Sequence, residues 1–221
     1  MFNIAVPYII IGFFTLFAAA IGISLWLEKK RREELKRQAS RLGFSFIPKD
    51  DGTAIGNFNN FPIFDKGHSR CAYNIMRGNQ RDNDWTIFDY RYTVGSGKNQ
   101  TTYCQTIAAI TLQNFNFPSF MLLPENFFYK IADFVGYKDI DFSDKPLFSK
   151  NYFLKGPDET AIRNLFSREI MSFFERENYK GHLEANDRYI LIYTPGRRIE
   201  PQNFRQFLEN SGKIIRAFTG K

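Results

Sequence analysis

From Ile4 to Leu27 the chain runs for 24 residues without a charged side chain, and then turns at once to Glu28, Lys29, Lys30, Arg31 and Arg32. At 1.5 Å per residue such a run makes a helix of about 36 Å, enough to cross a hydrocarbon core of about 30 Å. Tyr8 and Trp26 stand 18 positions apart, close to where interfacial aromatic belts hold such rings. Pro7 falls in the first turn, where its missing N–H costs little. A cleaved signal peptide is the rival reading, since Ala18-Ala19-Ala20 offers a small-residue site. That reading wants a basic leader and a short apolar core. Met1-Phe2-Asn3 carries no charged side chain and the run continues past the alanines, so the pattern predicts a transmembrane helix.

Past Leu27 the polar positions take over. Leu35, Ala39 and Leu42 recur at i, i+4 and i+7, which predicts a helical stalk over 28–42 that stops at Gly43. Residues 44–64 are aromatic and turn-rich and predict only short strands. Aromatic and β-branched runs predict strands at Ser69 to Arg77, Trp85 to Val94 and Thr101 to Leu112, parted by the polar turns GNQRDND and GSGKNQ. An antiparallel meander is their economical arrangement.

Phe120 to Leu123 is a short apolar run. Helical spacing of Phe127, Phe128, Ile131, Phe134 and Val135 predicts a helix opening at Pro124-Glu125 and closing at Gly136. Asp139 to Phe142 and Phe148 to Lys155 read as strands. One helix capped by Asp158 carries a stripe from Ile162 through Leu165, Phe166 and Ile170 to Phe173 and Phe174. HLEA-ND-RYILIY reads as a hairpin turning at Asn186-Asp187. Pro201 opens a last amphipathic helix with Phe204, Phe207, Leu208, Ile214, Ile215 and Phe218 inward. The fold class is α+β: an N-terminal transmembrane helix and stalk, then an antiparallel-sheet domain with about three amphipathic helices. The organisation is 1–27 tail and span, 28–42 basic juxtamembrane stalk, and 43–221 soluble domain, read as one body or as two lobes, 43–118 and 119–221.

Composition changes this picture little. The net charge is +7, but residues 28–42 hold seven Lys/Arg against three Asp/Glu and so account for most of it. That distribution argues for a membrane flank and against nucleic acid. The basic stalk also suits anionic lipid headgroups, at about 1 kcal/mol for each Lys or Arg near the surface. The 25 phenylalanines fit an aromatic core, or alternatively an apolar pocket or lipid-facing patch. Cys71 and Cys104 as free thiols fit a reducing compartment. Asn99-Gln100-Thr101 matches a glycosylation sequon only in a secretory context. Thr15 with Ala19, and Ala18 with Gly22, form small-xxx-small pairs that could pack two spans together.

No constellation reads as an active site. GSGK at Gly95 to Lys98 lacks the earlier glycine and the following Ser/Thr of a phosphate loop and reads as a hairpin tip. His68 and His182 have no partners at triad or zinc spacing. Cys71 and Cys104 sit on strands as small hydrophobes. Asp139, Asp141 and Asp144 lack the glycine and terminal glutamate of a calcium loop. Asp89, between Phe88 and Tyr90, is the oddest carboxylate, and pairing with Arg91 or Lys98 is its plain explanation. The sequence therefore names no catalytic, metal-ligating or cofactor-binding residue, and no cofactor.

The strings WTIFDYRYTVGSGKNQTTYCQTIA, FMLLPENFFYKI, DIDF and FSKNYFLKGPDETAIRNLF resemble a group of uncharacterised bacterial inner-membrane proteins with one N-terminal span and a cytoplasmic α+β domain. The resemblance covers most of residues 30–218. It implies a bacterial, membrane-bound protein and brings no assigned activity. Three functions remain in view. The first is a membrane-tethered, non-enzymatic protein-interaction domain. The second is a lipid-binding or lipid-sensing module at the membrane surface, and the third a hydrolase built on carboxylates such as Asp89. The bilayer itself is a partner through Ile4 to Leu27. The basic flank predicts the N-terminus outside and the domain on the cytoplasmic side of the cell inner membrane.

Overall fold

The computed structural model describes residues 5–50, 52–125 and 139–220. Helix α1 (Ala5–Arg41) is continuous from the apolar run into the basic flank, 37 residues in all. Gly43, at φ +71°, takes the left-handed conformation that ends it, and the Phe44 N–H returns to the Ala39 carbonyl. The side chains described between residues 8 and 27 lie against nothing else in the chain: Gly12 is half-buried and the rest are exposed. This is the helix long and apolar enough to cross a membrane.

Eight strands follow, β1 (Ser45–Lys49), β2 (His68–Gln80), β3 (Asn83–Val94), β4 (Thr101–Thr111), β5 (Phe117–Pro124), β6 (Tyr152–Lys155), β7 (His182–Asp187) and β8 (Tyr189–Tyr193). They form one antiparallel sheet in the order β1-β2-β3-β4-β8-β7-β5-β6, with the expected meander as its first half. Pairing of β4 with β8 joins that half to the strands that come later. Helices α2 (Pro146–Asn151), α3 (Glu159–Leu165), α4 (Arg168–Glu177) and α5 (Phe204–Thr219) complete the described elements, with short 3-10 turns between. The α+β class read from the sequence is the class observed.

The sheet buries both faces. On one, Met76, Ile87, Ala108, Ile110, Leu122 and Ile192 meet α1 and the later helices, with Phe120, Phe148, Phe166, Phe174 and Phe218 forming an aromatic centre. On the other, Phe58, Phe61, Ile63 and Phe64 fold over Phe88, Tyr90 and Tyr193. The phenylalanine load outside α1 thus goes largely to core.

Several elements differ from expectation, each for a local reason. Asp139 to Phe142 form no strand: Asp139 accepts the Leu154 N–H through its side chain, so a carboxylate occupies the place of a ladder carbonyl. Phe148 to Lys155 divide into α2 and β6 because Pro146 sits in the first turn and seeds a helix. The single helix expected after Asp158 is two. Asp158 does cap α3, but Ser167 breaks the run and caps α4 by accepting the Ile170 N–H. The β7–β8 turn centres one residue later than expected, on Asp187-Arg188, since Asn186 pairs with Tyr189. Of the helix expected over 124–136, Pro124 belongs instead to β5 and residues 126–136 lie outside the described residues.

Candidate functional site

The basic flank of α1 does not project freely. Arg31, Leu35 and Ala39 are buried at i, i+4 and i+8, so one stripe of the helix lies on the sheet. Arg31 makes a bidentate pair with Asp89, Nε to Oδ2 and Nη2 to Oδ1, both at 3.0 Å. The Asn74 amide donates to Oδ2 at 3.0 Å and the Thr106 hydroxyl to Oδ1 at 2.7 Å. A β-bulge makes this possible. Between Tyr73 and Met76 strand β2 gains a residue, Asn74 adopts φ +52°, and its side chain is turned onto Asp89. The partner of Asp89 is therefore Arg31, 58 residues upstream, and not Arg91 or Lys98. Four hydrogen bonds occupy both of its oxygens. One helical turn toward the N-terminus, Glu28 accepts from Arg198 at 2.7 Å, and Arg198 lies 3.5 Å from the Tyr73 hydroxyl. Burial and the Asp89 charge push that phenol up to about 12. These contacts clamp α1 at two points.

At the other end of the docked helix a cleft of about 560 Å³ opens between four segments. Leu42 closes one side; the β2–β3 turn, the chain after β4 and one face of α5 form the rest. Its floor is apolar: Trp85, Leu112, Phe115, Leu208 and Ile215. Its rim is basic, with Arg81, Arg205, Lys213 and Arg216 against Asp82 and Glu209. Arg205 is spent on Glu209 at 3.0 Å and Lys213 reaches Glu177 at 3.4 Å. Arg81 and Arg216 form no ion pair among the described residues. Arg81 is held at the mouth by a two-residue turn in which it and Asp82 have φ of +52° and +62°. Trp85 is 4% exposed, and its indole N–H has no acceptor among the described residues. A buried donor left unbonded costs about 1–3 kcal/mol. Small-molecule sites occupy roughly 300–1,000 Å³ with apolar walls and a few polar groups. Chemically, the cleft fits an apolar chain carrying a negatively charged, oxygen-rich head.

The residues weighed from sequence fall elsewhere. Gly95 to Lys98 lie in the exposed β3–β4 connection, followed by a strand and not by a phosphate-binding helix. Cys71 and Cys104 flank Arg91 across the sheet as free, half-buried thiols. His68 bonds the Gly95 carbonyl at 3.1 Å and is exposed. His182 and Glu184 are buried on the second face of the sheet, where the Tyr193 hydroxyl donates to Glu184. Among the described residues no three His, Cys, Asp or Glu gather as a metal site would require. Sequence reasoning missed the cleft. The one signal available was Arg81 and Asp82 in a tight turn beside Trp85, with Arg216 four residues beyond Gly212 on a helix.

Burial holds the His182 imidazole down to about 3, with the Lys66 charge adding to the effect. The unfolded chain takes that proton near 6.5, so stability conferred by neutral His182 is full above 6.5 and is lost as the pH falls toward 3. At pH 5 the loss is about 2 kcal/mol. Asp139 acts in the opposite sense. Burial raises its carboxyl to about 6, so the folded chain binds that proton first and gains stability as the pH falls from 6. Replacing His182 by Gln isolates the first effect: thermal unfolding at pH 5 relative to pH 7 will lose less stability than wild type. Equal losses in the two proteins would contradict the assignment.

Compared with known proteins, the sequence matches no described protein family and no curated protein. Its fold is similar to that in the crystal structure of the mycobacterial trehalose monomycolate transport factor A, TtfA. That likeness has a TM-score of 0.59 at 13% identity, over 86% of this chain and 92% of the other. At this identity the likeness establishes a shared fold.

Proposed function

We propose that this protein is a membrane-tethered, non-enzymatic lipid-handling module in which residues 1–27 anchor, 28–42 dock the domain, and 43–221 carry a cleft for an anionic amphiphile. The observation that carries the proposal is that cleft, an apolar floor under a basic rim on which Arg81 and Arg216 form no ion pair among the described residues. A trehalose monomycolate transport factor as a neighbour in fold is consistent with it. Among the described residues outside α1, Tyr103 and Leu147 are the exposed large hydrophobics, which gives a flat protein-binding face little to use. Leu42 lies 15 residues past Leu27, about 22 Å along the helix, so a lipid in the cleft has left the bilayer.

The protein purified in a mild, lipid-free detergent will carry lipid detectable by mass spectrometry of its organic extract. Gly212 lines the cleft, and a Cβ added there would meet only the end of the Arg216 side chain, at 3.3 Å. Replacing Gly212 by Phe will obstruct part of the cleft and cut the bound lipid by roughly tenfold or more, the loss of a buried-chain contact of at least 1.4 kcal/mol. Lipid content unchanged by that substitution would contradict the proposal.

The orientation we propose puts the N-terminus outside and the domain on the cytoplasmic side of the cell inner membrane. Lys29, Lys30 and Arg32 on the flank support it by the positive-inside rule. An alkaline phosphatase fused after Lys221 will be inactive in that arrangement, and strong activity would reverse it.

A further inference from the structure

We propose that the end of the sheet beside the exit of α1 rests on the anionic surface of the membrane that holds α1, through Arg91, Lys98 and Arg197. The direction of the helix places that end. Glu28 sits beside Arg198 and Tyr73, whereas Phe44, just past the far end, packs onto Gly78. Helix α1 therefore runs along β2 in the same sense. Everything before Tyr73 in β2, with the end of β3, the 95–100 connection and the start of β4, lies on the side toward Leu27. His68 is five residues before Tyr73, about 16 Å at 3.3 Å per residue. Leu27, next to Glu28, is the last residue of the apolar run. A sheet end that continues past that level meets the headgroup layer.

Its chemistry suits that contact. Arg91, Lys98 and Arg197 are exposed and form no ion pair among the described residues. The acidic groups nearby are Glu28, bonded to Arg198 at 2.7 Å, Asp65, 3.5 Å from Arg70, and Glu200. Lys29, Lys30 and Arg32 are exposed on the first docked turns, with Lys30 Nζ 5.6 Å from the Trp26 ring. Tyr103 is exposed and stacked on Tyr92 at 5.3 Å, an aromatic placed among cations as in interfacial belts. Each Lys or Arg near an anionic surface adds to the attraction, which fades within a Debye length of about 8–10 Å. The contact would fix the tilt of the domain and keep the cleft, at the opposite end of the docked helix, turned away from the bilayer.

The test uses the full chain reconstituted in vesicles, with insertion checked by flotation. Cys71 and Cys104 are replaced by Ser, and a fluorophore is placed at Ser96→Cys. Its quenching by a headgroup-linked paramagnetic nickel lipid is compared in phosphatidylcholine vesicles with and without phosphatidylglycerol. Quenching is expected to be roughly threefold stronger in the anionic vesicles and to fall away at about 1 M salt, where the Debye length is about 3 Å. It is expected to fall likewise when Arg91, Lys98 and Arg197 are all Gln, with Lys98→Glu alone as the variant least able to disturb folding. Quenching that is the same in both vesicle types, or unmoved by these substitutions while insertion is normal, would overturn the proposal.

Discussion

Replacing Arg31 by alanine will destabilise the domain by about 3–5 kcal/mol, because it leaves the buried Asp89 carboxylate without its cation. For a chain of this length that corresponds to a fall in melting temperature on the order of 10 °C. The Asp89 side chain is 1% exposed, so water cannot take the place of the guanidinium. Arg31→Lys will recover only part of the loss, since a single ammonium cannot serve both oxygens as the guanidinium fork does. Arg31→Met combined with Asp89→Leu removes both charges and will lie much closer to wild type than Arg31→Ala does. Asn74 and Thr106 then lose an acceptor, which sets the remaining cost. Circular dichroism melts of the detergent-solubilised proteins at matched pH measure all four. An Arg31→Ala protein that melts with wild type would show that α1 is not docked as described.

The consequence of that docking is orientation. An anchor joined to its domain through a flexible stalk would leave the cleft free to point anywhere. Here Arg31–Asp89 and Glu28–Arg198 hold α1 against the sheet on successive turns, and Leu35 and Ala39 fill the space between helix and strands. The cleft stands at a set distance from that helix, and Leu42, the residue that follows it, forms part of the cleft wall.

Much of this fold was legible in the sequence. Strands β2, β3 and β4 declare themselves by β-branched and aromatic runs between polar turns, and α5 by its stripe of Phe204, Leu208, Ile215 and Phe218. The uncharged run before Glu28 reads as a span, and the helix it forms is long and apolar enough to cross a membrane. What stayed hidden was long-range. Nothing local to Arg31 distinguishes it from Lys30 or Arg32, and its role depends on a bulge at Asn74 and a carboxylate 58 residues away. The break at Ser167 was obscured because Ile162 and Phe166, then Ile170 and Phe174, keep helical spacing across it. Trp85 reads as an ordinary strand residue. Its significance arises only when α5, arriving some 120 positions later in the chain, walls it in and brings no acceptor for its N–H.

The central claim, that a lipid leaves the bilayer to enter the cleft, can be read from Trp85 itself. The chain has two tryptophans, and Trp26 lies in the apolar helix, so Trp26→Phe leaves Trp85 as the sole indole emitter. In vesicles of phosphatidylcholine doped with phosphatidylglycerol that carries brominated acyl chains, bromine quenches only indoles it approaches closely. Trp85 lines the cleft with Leu42, about 22 Å along the helix from Leu27, beyond the reach of chains that stay in the bilayer. We expect strong quenching of Trp85, and its loss when Gly212→Phe obstructs the cleft. Trp85 emission that is unaffected by the brominated lipid, or equally quenched in the Gly212→Phe protein, would contradict a lipid site there.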